Sequence, residues 1–239
     1  MLLPDGAMEL IVNLGEPQKL CALDDPGKHT FFRHSWISGE RTAPIVIDEA
    51  GSVNLIGVRL RAGGGWSFLG IPLREFTDQV VEMEAVLGQE MVDLRERLGE
   101  AADDDSRFDL LESWLSQRAR LHSPSTRSVI HALGLINSNS DPVRIRSIAD
   151  EIGISHKQLL REFERCVGLT PKLFARLCAF QRVVHSVGQR VTVDWAETAV
   201  TCGYYDQAHL IHEFRAFSRL TPAKYLEKRG PFLNYLPLD

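Results

Sequence analysis

Long apolar runs are missing from this chain, and so is any basic leader ahead of an apolar stretch. Neither a membrane span nor a signal peptide is therefore expected, and the protein reads as cytoplasmic. Cysteine is scarce: the 239 residues hold four, Cys21, Cys166, Cys178 and Cys202, and no two form a C-x-x-C pair. That excludes the common redox and zinc-ribbon spacings and leaves reduced, packed thiols as the expected state. Catalytic signatures are missing as well. There is no G-x-S-x-G, no H-E-x-x-H and no phosphate loop; Gly63-Gly64-Gly65 lacks both the spacing and the Lys-Ser/Thr that would follow. His29 and His34 have no third ligand at metal spacing. Neither an enzyme, a bound metal nor a cofactor is expected from these residues. Cys21 keeps one remote alternative open, a cysteine-based repair or sensor protein, but no activating neighbour is evident beside it.

Charge is present but unevenly divided. The formal net charge of −5 conceals −9 over residues 1–122, from 12 basic and 21 acidic side chains, and +4 over residues 123–239, from 15 and 11. A basic half within an acidic protein suits an anionic partner for that half alone. With 44% of its residues apolar, the chain has material for a sizeable core.

The basic half repeats itself. Ile145, Ile148, Ala149 and Ile152 precede Gly153; Trp195, Thr198, Ala199 and Cys202 precede Gly203, at an offset of 50 residues. Beyond the glycine the offset becomes 51: Ser155 matches Asp206, Leu159 matches Leu210, Phe163 matches Phe214, and Leu169-Thr170-Pro171 matches Leu220-Thr221-Pro222. Each copy reads as a helix, a glycine corner, a capped helix and a Thr-Pro start to a third helix. That is the layout of a helix-turn-helix, and two of them on one chain point to duplex DNA.

Ser155 with Gln158 predicts a capping box for the second helix of the first unit. Leu159 and Phe163 face inward there, while Lys157, Leu160, Arg161 and Glu164 share the opposite face. Arg161 suits a guanine edge, Lys157 a base or phosphate, and Leu160 a thymine methyl; a solvated charged face is the plainer alternative. In the second unit Asp206 caps the helix and Leu210, Phe214 and Phe217 form the inner stripe. Gln207, Ala208, His209, Ile211, His212 and Arg215 lie toward the outside. An exposed Ile211 makes sense against thymine methyls or against protein. Between the units, Thr170-Pro171 opens a helix to about Val187, roughly 17 residues and about 26 Å long. The two recognition helices are then expected roughly 34 Å apart, one DNA turn.

Residues 1–72 look β-rich, with strands expected over 8–14, 30–36, 45–48, 53–60 and 66–71. Over 73–121 the pattern is helical: Phe76, Val80, Met83 and Leu87, then Met91, Leu94 and Leu98, then Leu111, Trp114, Leu115 and Arg118. The last of these helices is expected in the core, or alternatively as a dimer seam. Trp36, Arg59, Arg61 and Trp66 are candidates to line a pocket for an acidic or aromatic small molecule. Core tryptophans and arginines paired with carboxylates are the alternative. His122-Ser123-Pro124-Ser125 is expected to join a domain over 1–122 to one over 123–230, with an irregular tail over 231–239.

The stretch Ala199-x-x-x-Gly203-Tyr204-Tyr205-Asp206-Gln207-Ala208-His209-Leu210-Ile211-His212-Glu213-Phe214, ending in Leu220-Thr221-Pro222-x-x-Tyr225, resembles the signature of the AraC/XylS family of bacterial transcription regulators. The resemblance spans about 143–226. It implies a seven-helix DNA-binding domain with two helix-turn-helix units, promoter binding and contact with RNA polymerase. Family members often carry Arg where this chain has His212 and a polar residue where it has Leu160. The second unit is therefore expected to bind more weakly or with pH dependence, since His charges near neutral pH, leaving Lys157 and Arg161 more of the base reading. Leu3-Pro4-Asp5-Gly6-x-Met8-Glu9-Leu10 and Gly57-Val58-Arg59-Leu60-Arg61-Ala62-Gly63, with Gly70-Ile71-Pro72, resemble the short cupin-like sensor domain of some such regulators. The chain begins almost at the first of these segments, so its barrel is expected to be incomplete or opened.

The expected fold is α+β: a β-rich, partial cupin-like barrel with a helical extension, then an all-α domain. The expected function is a sequence-specific transcription factor on double-stranded promoter DNA, modulated by a small-molecule effector through the N-terminal domain. Control by a protein partner or by homodimerisation, without a ligand, is the alternative. No membrane partner is expected.

Overall fold

The computed structural model describes all residues except 24, 49–52, 120–125, 139–143, 189, 191 and 238–239. The expected domain junction, and the start of the family resemblance near Val143, lie outside the described residues.

Among the described residues the N-terminal part holds seven strands: β1 (Met8–Asn13), β2 (Gln18–Ala22), β3 (Asp25–Phe32), β4 (Ser35–Ser38), β5 (Val46–Asp48), β6 (Leu55–Leu60) and β7 (Val80–Glu82). They form two antiparallel sheets, in the orders β6-β1-β4-β7 and β3-β2-β5. Period-two alternation divides the faces of the first sheet. Met8, Leu10 and Val12, with Ile37 opposite Leu10, join one apolar core. Glu9 and Ile11, paired with Ser38 and Trp36, look the other way, into a cavity shared with the second sheet.

Several N-terminal elements differ from the sequence expectation. Residues 66–71, expected as a strand, belong mostly to helix α1 (Gly64–Leu69), bracketed by Gly63 and Gly70 in left-handed conformation. A short apolar run cannot tell strand from helix by periodicity alone. Gly65 packs closely: a Cβ there would lie 2.7 Å from the Met8 sulfur, which would have to shift. The strand expected over 30–36 is two strands separated by Arg33 and His34. The helix expected to run from Phe76 to Leu87 is instead a 3-10 turn (Leu73–Phe76), strand β7 and helix α2 (Met83–Leu87). Asp78, at φ 57°, interrupts any helical path, and Val80 and Val81 pair with Ser38 and Ile37 at the sheet edge.

Helices α3 (Gln89–Glu100) and α4 (Asp104–Ala119) cover the first sheet's apolar face. Trp114 Nε1 donates to Glu90 Oε1 at 2.7 Å, and Arg118 pairs with the same carboxylate while lying over the Phe68 ring. Leu111, Trp114 and Arg118 are buried, so this face of α4 is core.

Among the described residues the C-terminal part holds seven helices: α5 (Arg127–Ser138), α6 (Ile145–Ile152), α7 (His156–Val167), α8 (Pro171–Ser186), α9 (Trp195–Thr201), α10 (Gln207–Ser218) and α11 (Pro222–Lys228). Phe180 of α8 packs against Phe214 and Phe217 of α10, with centroids 4.9 and 5.3 Å apart. The two ends of the chain also enter this core. Met1, Leu3 and Leu236 are buried in it, Leu2 bridges both Ile45 and Tyr235, and Gln181 of α8 donates to the Pro4 carbonyl at 2.6 Å. Among its described residues the tail expected to be irregular has no helix or strand of its own, yet it is pinned in place. No helix among the described residues is long and apolar enough to cross a membrane.

Candidate nucleic-acid interface

Both repeat units fold by the same local rules. α6 ends at Gly153, at φ 78° and ψ 31°, which allows the sharp corner into α7. The corner before α10 uses Gly203 at φ 87°. Ser155 caps α7 by accepting from the Gln158 amide at 3.1 Å, and Asp206 caps α10 by accepting from the His209 amide at 2.7 Å. The expected capping box is half formed: the Gln158 side chain donates to Glu162 at 2.9 Å. Thr170 and Thr221 cap α8 and α11, each with proline at the helix start.

The inner stripes are buried as expected. Leu159, Phe163, Leu210 and Phe214 are all 0% exposed; each such side chain contributes roughly 1.5–3 kcal/mol by leaving water. On the outer face of α7, Lys157 and Arg161 are exposed, with His156 beside them, and Leu160 and Glu164 are half-buried. On α10, Gln207, Ala208, His209, His212 and Arg215 are exposed. Ile211 is half-buried against the helical core, so a protein contact accounts for it without DNA. His209 is committed to the fold: its ring lies edge-on to buried Tyr204, centroids 5.4 Å apart, and its Nδ1 accepts from the Tyr205 amide at 3.3 Å.

Buried polar contacts absent from the sequence reading fix these helices in place. Arg176 of α8 grips Glu213 of α10 through two bonds of 2.6 and 3.1 Å, with the Glu213 side chain 10% exposed. Glu162 of α7 accepts from Gln158 and from Thr126, the latter at 2.8 Å, just ahead of α5. Burial opposes charge on Glu162. Its two hydrogen bonds, with Arg165 and Arg161 nearby, outweigh that and hold the carboxyl below its ordinary range. The N-terminal part grips the far end of α7. The Arg165 guanidinium lies 4.8 Å from the centre of the Trp66 ring, and Thr77 Oγ1 donates at 2.6 Å to the carbonyl of Gly168, the residue that ends α7.

The candidate effector pocket assembles differently from the sequence reading. A cavity of about 50 Å³ lies between the two sheets, lined by apolar Ile11, Phe32, Trp36 and Ile47 and by polar Gln18 and Arg41. Of the four expected residues, Trp36 lines it. Arg59 points elsewhere and pairs with Asp5 at 2.6 Å and Glu9 at 3.8 Å, Arg61 is exposed, and Trp66 serves the contact with α7. Gln18 is 3% exposed and its Oε1 has no hydrogen-bond partner. Cys21, the candidate reactive thiol, is buried in β2.

Residues 148–228 match the family described as "Helix-turn-helix domain", and residues 1–82 match a "Domain of unknown function", DUF6597. No curated protein matches the chain in sequence. Among solved structures, ToxT of Vibrio cholerae is similar over 95% of this chain and 92% of that one, with 8% identity and a TM-score of 0.51. At that identity the likeness speaks for the fold alone. A transcriptional regulator with an AraC-type DNA-binding domain from Chromobacterium violaceum is 22% identical over 41% of this chain and 87% of that one, at a TM-score of 0.37. A probable AraC family transcriptional regulator from Rhodopseudomonas palustris is 23% identical over 43% and 96%, at 0.38. The family match and the two capped units joined by α8 agree: residues 148–228 form a helix-turn-helix domain.

Proposed function

We propose that the protein is a sequence-specific transcription regulator whose α7 and α10 enter successive major-groove segments of promoter DNA. One observation carries the reading: two helix-turn-helix units with buried inner stripes and exposed Lys157, Arg161, His212 and Arg215 outside, joined by a 16-residue helix. In this reading Arg161 pairs with a guanine edge, Lys157 and Arg215 reach base or phosphate, and Gln207, Ala208 and His212 line the second groove segment. Leu160 and Ile211 contribute what remains of their apolar surface, while Ser155, Asp206 and His209 set the helix starts. RNA polymerase is the partner at the promoter, and a second copy of the chain is a further one, with exposed Phe108 on α4 as its candidate contact.

The N-terminal part is the input module. Its cavity admits only a small effector, or the apolar end of a larger one, carrying a donor for Gln18 Oε1. Such a ligand raises the melting temperature, because it binds the folded chain.

The test is selection of duplexes from a random pool by the full chain, followed by titration of Arg161→Ala. Loss of one bidentate base contact weakens binding by about 10-fold or more and relaxes preference at one position. Equal binding by parent and variant would remove Arg161 from the reading. Failure to enrich any sequence would remove specific DNA binding altogether.

A further inference from the structure

The second unit exceeds the first by one residue, and that residue is Tyr205. Up to the glycine corner the copies run in step. Ile154 and Tyr204 each donate an amide hydrogen bond back into the preceding helix, to Ala149 and Ala199 at 3.0 and 2.8 Å. In the first unit the cap, Ser155, follows at once. In the second, Tyr205 intervenes before Asp206, and the cap stretches to φ −155° and ψ 177°, against −68° and 146° at Ser155. The extra residue has its main chain tied down by the bond to His209 Nδ1, and its neighbours Tyr204 and Asp206 are engaged in the core and in capping. Its own side chain is 88% exposed, the highest value among the large apolar and aromatic side chains described as exposed.

We infer that Tyr205 is a DNA-backbone contact of the second unit, its phenol donating to a phosphate oxygen where α10 enters the groove. The N-terminal end of a recognition helix is the end that meets base edges, so the residue just ahead of its cap lies beside the sugar-phosphate wall. Tyrosine hydroxyls are among the side-chain groups that hold phosphates. The contact fixes the position of the second unit and reads no base. The inference rests on the DNA-binding reading of the preceding subsection and adds a residue that the outer face of α10 does not include.

The test uses the full chain, a fluorescent duplex recovered by it from a random pool, and a scrambled duplex of the same composition. Because Tyr205 is exposed, its variants keep the parent melting temperature. Tyr205→Phe, which loses only the hydroxyl, weakens binding to both duplexes by about 5-fold, the worth of one hydrogen bond, and Tyr205→Ala weakens it at least as much. The salt dependence of both variants stays that of the parent, since no cation is lost, whereas Arg161→Ala flattens it. Parent-like binding by Tyr205→Phe and Tyr205→Ala, alongside a weakened Arg161→Ala, overturns the inference and leaves the DNA-binding reading standing. So does a Tyr205→Ala variant that binds DNA normally but fails to recruit RNA polymerase, which makes Tyr205 a protein contact. No enriched duplex at all sinks both readings.

Discussion

Glu40 is a carboxylate in an unusual place for one. It follows β4, is 2% exposed, and its Oε2 has no hydrogen-bond partner. Burial pushes its carboxyl up to about 8, with Asp5 adding to the shift and Arg59 and Arg41 opposing it. Cys178 of α8, whose thiol burial raises to about 11, is neutral and supplies no compensating charge. The pH dependence follows from linkage. Below the ordinary value of 4.5, Glu40 is protonated whether the chain is folded or unfolded. Between 4.5 and about 8 the unfolded chain gives up this proton while the folded chain keeps it, so stability falls as pH rises, and the loss is complete above about 8. Glu40→Gln removes this contribution. Thermal melts of parent and variant from pH 5 to 8.5 show the variant gaining on the parent as pH rises, with the gap smallest at pH 5. A gap that does not change with pH would acquit Glu40.

At the scale of the element, the helical half is built from local instructions and the β-rich half is not. Ser155, Thr170, Asp206 and Thr221 each cap a helix by accepting from the amide three residues on, so their roles were legible in the sequence without tertiary information. Ser155→Ala loses the bond to the Gln158 amide and destabilises the protein by about 1 kcal/mol, while Ser155→Asp retains most of it. Urea unfolding monitored by circular dichroism measures both, and an Asp variant as weak as Ala would mean that the cap is not what Ser155 supplies. The N-terminal elements answer to distant partners instead. Gly39 packs so closely against the 3-10 turn that a Cβ would lie 1.9 Å from the Phe76 carbonyl oxygen. Nothing near Gly39 in sequence announces Phe76, which is why the turn and β7 read as one helix. β2 was unforeseen because Gln18 and Lys19 carry no strand signature, and its pairing with β3 and β5 decides the matter. Tyr205 lies between these cases. The change of offset from 50 to 51 marks an insertion in the sequence, but only the burial of Tyr204 and the capping by Asp206 show which residue is left over.

The molecule as a whole is asymmetric about α7 and α10, the two helices proposed to read DNA. α10 is braced from within the helical domain, by Arg176 on Glu213, whereas the C-terminal end of α7 is braced by the N-terminal part through Trp66, Thr77 and the turn at Leu73. Gly168 shows how closely the two parts meet. At φ 90° it favours glycine, and a Cβ would sit a tight 3.1 Å from both the Leu73 carbonyl oxygen and Thr77 Oγ1. Any event that moves α1 or the 3-10 turn therefore reaches α7 directly and, among the described residues, α10 through the helical core. Trp66→Ala removes a cation–π contact worth about 0.5–2 kcal/mol at such a half-exposed site, and Thr77→Val removes the bond to Gly168 while keeping the shape of the side chain. Both variants speed amide hydrogen exchange in the last turn of α7 and leave α10 at its parent rate, because local opening follows the contacts that hold each segment. Exchange that quickens equally in α7 and α10 would show that the substitutions loosen the whole domain. Selective loss of protection in α7 shows that the N-terminal part holds the end of the unit that carries Lys157 and Arg161.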